Sequence, residues 1–167
     1  MENTVRQVHP FDPIFDRSSK ILILGTFPSV KSRENSFYYG HPQNRFWKVL
    51  SAVLDCCEPQ GNEEKRTFLL DHRIALWDVI RSCEITGSDD SSIQKVIPND
   101  LEIILSQSDI RQIYTNGKTA ERLYRQYIQP SNGREPVSLP STSPANAAYS
   151  LDRLILQWNR VRDELDG

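Results

Sequence analysis

The feature that most constrains the fold is a short apolar run followed by an unusually long polar and aromatic segment. Residues 20–24 read KILIL, and a continuous apolar run of this kind is typical of a central parallel strand covered on both faces. About twenty residues then precede Phe46, where apolar residues begin to recur at helical spacing. Strand-to-helix connections usually contain about two to six residues. Because ligands of open α/β sheets bind beyond the carboxyl ends of the strands, this long connection predicts a functional site.

The rest of the chain alternates apolar and amphipathic segments. Further strands are predicted over 74–80, 110–116 and 136–139. Helices are predicted at about 45–54 and 63–72, after a cap at Asn99, from Lys118 and from Ser150. This alternation predicts an α/β fold with a parallel sheet covered by helices on both faces. In such a sheet, the polar loops after the first, third and fourth strands gather at one edge.

Length and composition fit one domain. The 167 residues suffice to bury a sizeable core. We therefore predict a single domain over 1–167, in which residues 1–19, with Pro10 and Pro13, form an irregular arm. No apolar run is long enough to cross a membrane, and the first residues lack the apolar segment of a signal peptide. We expect a cytoplasmic monomer.

Neither cysteines nor histidines are spaced as metal ligands. The three cysteines contain no C-x-x-C pair, and the three histidines show no H-E-x-x-H or similar spacing. We therefore expect no metal, no iron–sulfur cluster and no cofactor. The net charge of −2 argues against a generally basic surface for nucleic acid. A local basic face near Lys31, Arg33 and Lys118 stays open, with ordinary solvated helix faces as the alternative.

The first loop is rich in aromatic side chains. Phe27, Tyr38 and Tyr39 offer flat rings on which a nucleobase could stack, a contact worth about 1–3 kcal/mol per base. The alternative is that these aromatic residues belong to the core. We favour the core for Phe46 and Trp47, and a site role for the two tyrosines.

The later loops carry groups that suit phosphate. The turn at Gly117 opens a helix beginning at Lys118, and its backbone amides could hold an anion. The segment 141–146, rich in hydroxyls and prolines, suits phosphate contacts, and an ordinary turn explains it equally well. Asp78 could act as a lone acid at the end of the second strand, but its isolation favours a structural role.

Asn44 has two competing roles. Its amide could orient a water molecule or a base edge. Its position after Pro42 and just before a predicted helix also makes it a good helix cap. The residue pattern alone favours the cap.

Two motifs carry a family resemblance. Residues 37–50, FYYGHPQNRFWKVL, preceded by GTFPS at 25–29 and by Ser32, resemble the first motif of the uracil-DNA glycosylase superfamily. They are most similar to its mismatch-specific uracil-DNA glycosylases and its hypoxanthine-DNA (DNA-deoxyinosine) glycosylase branch. Residues 139–146, LPSTSPAN, look like the second motif of that branch. Two other segments fall where that branch has matching ones: 76–80 and 115–118.

The resemblance implies a three-layer α/β/α sandwich around a four-stranded parallel sheet, and excision of a damaged base flipped out of DNA. Most relatives carry Asp or Asn at the third residue of the Gly-x-x-Pro motif, where it positions the attacking water. This chain has Phe27 there. The hypoxanthine branch similarly lacks that residue, which implies Asn44 as the catalytic residue. Tyr39 would stack the base, and Asn116, with the backbone near Phe27, would read its exocyclic oxygen.

The resemblance also implies residues that surround the base or grip the strand. Ser141 would complete the base pocket. The implied contacts to DNA are Ser29, Lys31, Ser32, Arg33, Lys118, Ser143, Pro144 and Asn146.

We therefore hypothesise a monofunctional DNA glycosylase for deaminated bases in DNA, with hypoxanthine first and uracil and xanthine as further candidates. If the base departs ahead of water attack, the sugar becomes cation-like, and Asn44 would orient water or bind the base edge. The alternatives are a uracil or mismatch-specific glycosylase, a catalytically inactive module that binds damaged DNA, and a hydrolase of free nucleosides. Phe27 keeps the inactive module open, because it replaces the usual water-positioning residue.

Overall fold

The structure is a computed structural model, and it describes residues 5–35 and 37–167. The strands in these ranges are β1 (Val5–Val8), β2 (Ile21–Gly25), β3 (Ile74–Asp78), β4 (Ile80–Ile85), β5 (Gln94–Pro98), β6 (Gln112–Asn116) and β7 (Pro136–Leu139). The helices are α1 (Val30–Asn35), α2 (Phe46–Val53), α3 (Gly61–Asp71), α4 (Glu102–Leu105), α5 (Lys118–Tyr127), α6 (Gln129–Asn132) and α7 (Leu151–Asp166). A 3-10 turn covers Asp90–Ser92.

The central sheet has four parallel strands in the order β3-β2-β6-β7. All residues of the inner strand β2 and of the edge strand β3 are buried, as expected for a parallel sheet covered on both faces. The register pairs Gly25 with Asp78, so these residues end neighbouring strands at the same edge. The predicted α/β fold, with a four-stranded parallel sheet between helices, is confirmed.

The helices cover both faces of this sheet. Crossovers between parallel strands are right-handed, so the steps from β2 to β3 and from β3 to β6, which run in opposite directions across the sheet, place their helices on opposite faces. The last helix, α7, packs against α2 and contacts β2. Phe46 and Trp158 are fully buried between these elements, and their rings meet edge to face. The core roles predicted for Phe46 and Trp47 are confirmed.

The start of the last helix follows its predicted cap. Ser150 precedes the first helical residue, and its hydroxyl accepts a hydrogen bond from the Arg153 N–H at 3.2 Å. The cap predicted at Asn99 is wrong, because the N-terminal flanking residue of α4 is Leu101. The buried Asn99 amide instead donates to the carbonyls of Asp78 and Ile80, where the chain turns out of the parallel sheet.

A second sheet is absent from the sequence prediction. It is antiparallel, with the order β1-β4-β5, and β1 pairs with Ser82–Ile85 of β4. The segment predicted as an irregular arm therefore contains a strand, and it also forms a bridge between Ile14 and Leu76. Residues 1–4 of that arm lie outside the described residues. No helix in the described ranges is long and apolar enough to span a membrane.

Candidate active site

A cavity of about 350 Å³ lies at the carboxyl edge of the parallel sheet. Gly25, Asp78 and Asn116 end three of its strands and line this cavity, and Ser141 follows the fourth strand. The volume falls within the range of about 300–1,000 Å³ that is typical of small-molecule sites. The position agrees with the site predicted from the long connection after the first strand.

The cavity brings together most residues that the sequence singled out. The predicted site residues that line it are Phe27, Ser29, Ser32, Tyr39, Asn44, Asn116, Ser141, Ser143 and Pro144. Lys31, Arg33, Lys118 and Asn146 are not among its lining residues. Thr26, His41 and Asp90 also line it without having been predicted, and Thr142 was considered only as part of the segment 141–146. Their presence depends on loop conformations that no local pattern encodes.

Asn44, Thr142 and Asn116 form a hydrogen-bonded group, which we call the amide cluster. Thr142 donates its hydroxyl to Asn44 Oδ1 at 2.9 Å and accepts from Asn116 Nδ2 at 3.0 Å. Asn116 Oδ1 accepts the Thr142 backbone N–H at 3.0 Å. The cluster therefore joins the first motif, the end of β6 and the second motif in one network.

The orientation of the Asn44 amide follows from its partners. Asn44 Oδ1 also accepts the backbone N–H of Phe46, the first residue of α2, at 3.0 Å. Two donors thus occupy the oxygen, and Nδ2 has no hydrogen-bond partner among the described residues. The N-terminal flanking residue of α2 is Arg45, so Asn44, one residue earlier, accepts the first helical N–H without occupying the predicted cap position, and it also lines the cavity. The group it leaves free is a donor.

Tyr39 is held in an unusual position. Its ring stacks on Phe46 with centroids 4.0 Å apart and planes inclined by 17°, so one ring face is covered. Its backbone φ is +52°, a left-handed conformation that costs an L residue roughly 1–2 kcal/mol. Tyr38 is 2% exposed and donates its hydroxyl to the Asp12 carbonyl at 2.7 Å, so its ring is mostly core.

Tyr39 Oη and Asp78 converge on Gly25. A Cβ atom at residue 25 would lie 2.4 Å from Asp78 Oδ1 and 2.7 Å from Tyr39 Oη, so only glycine leaves room for both. Burial raises the pKa of the Tyr39 hydroxyl, the nearby Asp78 carboxylate raises it further, and the Asn116 side chain beside it lowers it by less. The hydroxyl is buried and has no hydrogen-bond partner among the described residues. Tyr39 therefore stays protonated.

Asp78 is hydrogen bonded to His9 in the segment that precedes β2. His9 Nε2 donates to Asp78 Oδ2 at 2.7 Å, and the side chains are 3% and 5% exposed. We call Asp78, His9 and the Tyr39 hydroxyl the carboxylate cluster. The sequence offered Asp78 only as a lone acid and left His9 in the arm. The signal available was the position of Asp78 at the carboxyl end of a strand that neighbours β2.

The loop that carries the second motif is fastened by Arg45. The Arg45 guanidinium donates to the carbonyls of Ser143 and Asn146 at 3.2 and 3.1 Å, and to that of Tyr149. Asn146 Nδ2 donates to the Ser141 carbonyl at 3.0 Å. Arg45 and Asn146 therefore shape the cavity wall from behind it.

The predicted basic contacts differ in what they bind. Arg33 donates to the Gly87 carbonyl at 2.8 Å and lies over the Phe27 ring at 5.7 Å, while the exposed Lys31 pairs with Glu34 at 3.3 Å. Lys118 is exposed and makes no ion pair with a described residue. The Gly117 N–H, considered as an anion donor, is already donated to the Leu139 carbonyl at 2.8 Å.

Comparison with known families identifies the class of protein to which this fold and this site belong. The family model of the Uracil DNA glycosylase superfamily matches residues 13–162 of the chain. The chain belongs to the uracil DNA glycosylase superfamily.

Two named relatives and one solved structure are similar to the chain over most of its length. The chain is 34% identical over 153 residues to a Hypoxanthine DNA glycosylase of Methanosarcina acetivorans, over 90% of this chain and 95% of that one. It is 31% identical over 138 residues to a Hypoxanthine DNA glycosylase of Methanosarcina barkeri, over 81% and 86% of the two chains. The solution NMR structure of a candidate uracil DNA glycosylase from Methanosarcina acetivorans matches with a TM-score of 0.80 at 33% identity, covering 94% of this chain and 97% of that one.

Proposed function

We propose that this protein is a monofunctional DNA glycosylase that removes deaminated bases, hypoxanthine first, from DNA. The enzyme hydrolyses the N-glycosidic bond and leaves an abasic site. One observation carries the proposal: Asn44 of the first motif and Thr142 of the second are hydrogen bonded at 2.9 Å in one cavity. The names of the two Methanosarcina relatives support hypoxanthine as the first substrate.

Asn44 acts in this proposal through its Nδ2 donor. Both of its acceptor positions are taken by Thr142 and by the Phe46 N–H, so the oxygen is not available to receive a proton from water. A departing base carries the electrons of the broken bond and becomes more negative in the transition state. A fixed N–H donor stabilises that charge more than it stabilises the bound substrate, which is the condition for catalysis.

The aromatic side chains hold the flipped base. Tyr39 has one ring face against Phe46, and the opposite face is the candidate surface for stacking. Phe27 and Tyr39 both line the cavity. The backbone near Phe27 and the remaining N–H of Asn116 are candidates for reading the exocyclic oxygen that distinguishes hypoxanthine from adenine.

The contacts to the DNA backbone are the hydroxyl-rich residues at the cavity and the exposed cations beside it. Ser29, Ser32, Ser143 and Pro144 line the cavity, where they would grip the strand next to the flipped nucleotide, and Ser141 lines it as part of the base pocket. Lys118 is exposed at the start of α5 and is a candidate phosphate contact. Arg33, Asn146 and Lys31 act less directly, because each is engaged by another residue.

An excision panel tests the proposal. Purified protein is incubated with oligonucleotides that carry deoxyinosine, deoxyuridine or deoxyxanthosine, single-stranded and duplex, and abasic sites are cleaved with alkali. Cleavage at deoxyinosine is expected. Intact deoxyinosine strands beside cleaved deoxyuridine strands would instead identify a uracil or mismatch-specific glycosylase. Tight binding without product would indicate an inactive DNA-binding module, and turnover of free inosine a nucleoside hydrolase.

A further inference from the structure

Asp78 is a buried carboxylate at the cavity that the proposed function does not use. It ends β3 and lines the cavity, and its side chain is 5% exposed. One oxygen, Oδ2, accepts the His9 N–H at 2.7 Å. The other, Oδ1, has no hydrogen-bond partner among the described residues.

This pattern of partners is not what a purely structural carboxylate requires. Burying a charge is costly, and buried polar atoms of folded proteins are nearly always hydrogen bonded. Here His9 satisfies the oxygen that faces the N-terminal segment, whereas the oxygen that approaches Gly25 has no protein donor in the described ranges and is not among the fully buried unpaired atoms, as expected for an atom open to the cavity. The Tyr39 hydroxyl, also buried and without a partner, approaches the same point. Two unpaired oxygens beside one cavity indicate a place for a water molecule or a substrate group.

We infer that Asp78, held by His9, is a second catalytic residue of the glycosylase: it receives the proton of the attacking water and faces the cation-like sugar. The inference rests on the proposed function. The negative charge of Asp78 would stabilise the positive charge that develops at the sugar as the base departs.

The step balances as a hydrolysis. The electron pair of the bond between sugar C1′ and the base nitrogen leaves with the base. The water oxygen forms the new bond to C1′, and its proton passes to Asp78 Oδ1. The departed base takes up one proton from solvent, and Asp78 returns its own proton to solvent. No oxidant, reductant or metal takes part in the balance.

His9 is the positioning residue in this arrangement. Its Nε2–H fixes Oδ2, while Nδ1 contacts the backbone of Phe11, so the imidazole ties the segment before β2 to the end of β3. Fixing Oδ2 in this way directs Oδ1 toward Gly25.

Asp78→Asn is the first test. The asparagine keeps the shape of the side chain and can still accept the His9 N–H, so the fold is preserved. Single-turnover excision of hypoxanthine at saturating enzyme is expected to fall by about 10²-fold or more, with unchanged affinity for duplex containing an abasic site. Asp89→Asn removes the same charge from the exposed residue just before the 3-10 turn, outside the cavity lining, and is expected to leave the rate unchanged.

Asp78→Ala with added sodium formate is the second test, and it distinguishes chemistry from structure. Formate can enter the vacated space and receive the proton, so the rate of Asp78→Ala is expected to rise with formate relative to sodium chloride of equal ionic strength. His9→Gln, which keeps an N–H donor, is expected to retain more activity than His9→Ala at equal DNA affinity.

The outcomes separate the inference from the proposed function. A wild-type protein that leaves deoxyinosine strands intact would overturn the proposed function and this inference with it. A wild-type protein that excises hypoxanthine while Asp78→Asn is equally fast would overturn the inference alone. So would a slow Asp78→Asn variant with a lowered melting temperature, together with an Asp78→Ala variant that formate does not accelerate.

Discussion

The amide cluster and the carboxylate cluster satisfy their polar groups differently. In the amide cluster, Thr142 links Asn44 to Asn116, and each side-chain oxygen of the three residues has a hydrogen-bond partner. In the carboxylate cluster, Asp78 Oδ1 and Tyr39 Oη have none among the described residues. The amide cluster is neutral, whereas the carboxylate cluster contains the ionisable side chain of Asp78.

This difference suggests two roles: the amide cluster positions the Asn44 donor, and the carboxylate cluster offers oxygens to the substrate complex. A network in which every side-chain oxygen is hydrogen bonded fixes its members in one arrangement, so the amide cluster can hold the free Asn44 donor in place before substrate arrives. A buried unpaired oxygen such as Tyr39 Oη is costly, and both it and Asp78 Oδ1 can gain partners when a ligand or water enters. The first cluster therefore defines the geometry, and the second marks where hydrogen-bonding groups of the substrate complex are expected.

Replacing Asn44 tests the donor role, and here the largest effect is expected. Asn44→Ala removes Nδ2 and should lower single-turnover excision by about 10²–10³-fold, the usual cost of losing a transition-state donor. The variant should stay folded, because loss of the bond to the Phe46 N–H costs about 1 kcal/mol at a helix start. Excision rates and thermal unfolding are measured together.

Asn44→Asp is the matched control for this prediction. An aspartate keeps oxygen acceptors for Thr142 and for the Phe46 N–H but replaces the free donor by an acceptor. It should therefore be as inactive as Asn44→Ala while retaining more stability. Activity close to that of the wild type in Asn44→Asp would show that the donor is not the functional group.

Gly25→Ala perturbs the carboxylate cluster without removing any of its groups. A Cβ there would lie 2.4 Å from Asp78 Oδ1, and His9 holds that side chain from the other side. We expect a loss of stability of about 1–3 kcal/mol from overpacking, and an excision rate lowered by about 10²-fold, comparable to loss of the carboxylate itself.

The double variant Gly25→Ala with Asp78→Asn shows whether the glycine acts through the aspartate. If it does, the double variant is no slower than Asp78→Asn alone, since coupled residues are not additive. If the double variant instead loses as much rate as the two single variants together, Gly25→Ala acts through a residue other than Asp78, for example Tyr39.

The sequence was sufficient where structure is encoded locally. The apolar run at Ile21–Leu24 and the helical spacing after Phe46 depend only on nearby residues, so the parallel sheet and α2 were predicted. The antiparallel sheet was missed because Val5–Val8 is mostly exposed and pairs with residues far away in the chain. The apolar residues around Val79 also hid the end of β3 and the start of β4.

The same distinction holds for the site. Asn44 and Tyr39 were singled out because they lie in a long motif that resembles a family. Thr142 gave no comparable signal, since its partner Asn44 is 98 residues away. His9 and Asp78 are 69 residues apart, and no spacing rule joins an arm residue to a strand end. Such pairs depend on the tertiary fold.

Thr142→Val separates the linking hydroxyl from the amides that it connects. Valine keeps the shape but leaves Asn44 Oδ1 and Asn116 Nδ2 each without this partner, which costs about 1–3 kcal/mol in a buried site. A misplaced Asn44 donor should slow excision by about tenfold, equivalent to roughly 1.4 kcal/mol of barrier. Thr142→Ser retains the hydroxyl and should remain close to wild type in both measurements. Equal rates for the valine and serine variants would mean that Asn44 needs no support from Thr142.

Lys118→Ala with Arg122→Ala should give the smallest effect, confined to affinity. Both side chains are exposed on α5, and neither forms an ion pair with a described residue. If each contacts a phosphate, the slope of log affinity against log salt should fall by about 1 per residue, with the single-turnover rate at saturating enzyme unchanged. Arg125→Ala is the matched control, because Arg125 already pairs with Glu121 and Glu135 at 3.2 and 2.9 Å. An unchanged salt slope in the double variant would place the DNA away from this helix and assign its binding to the hydroxyl-rich residues at the cavity.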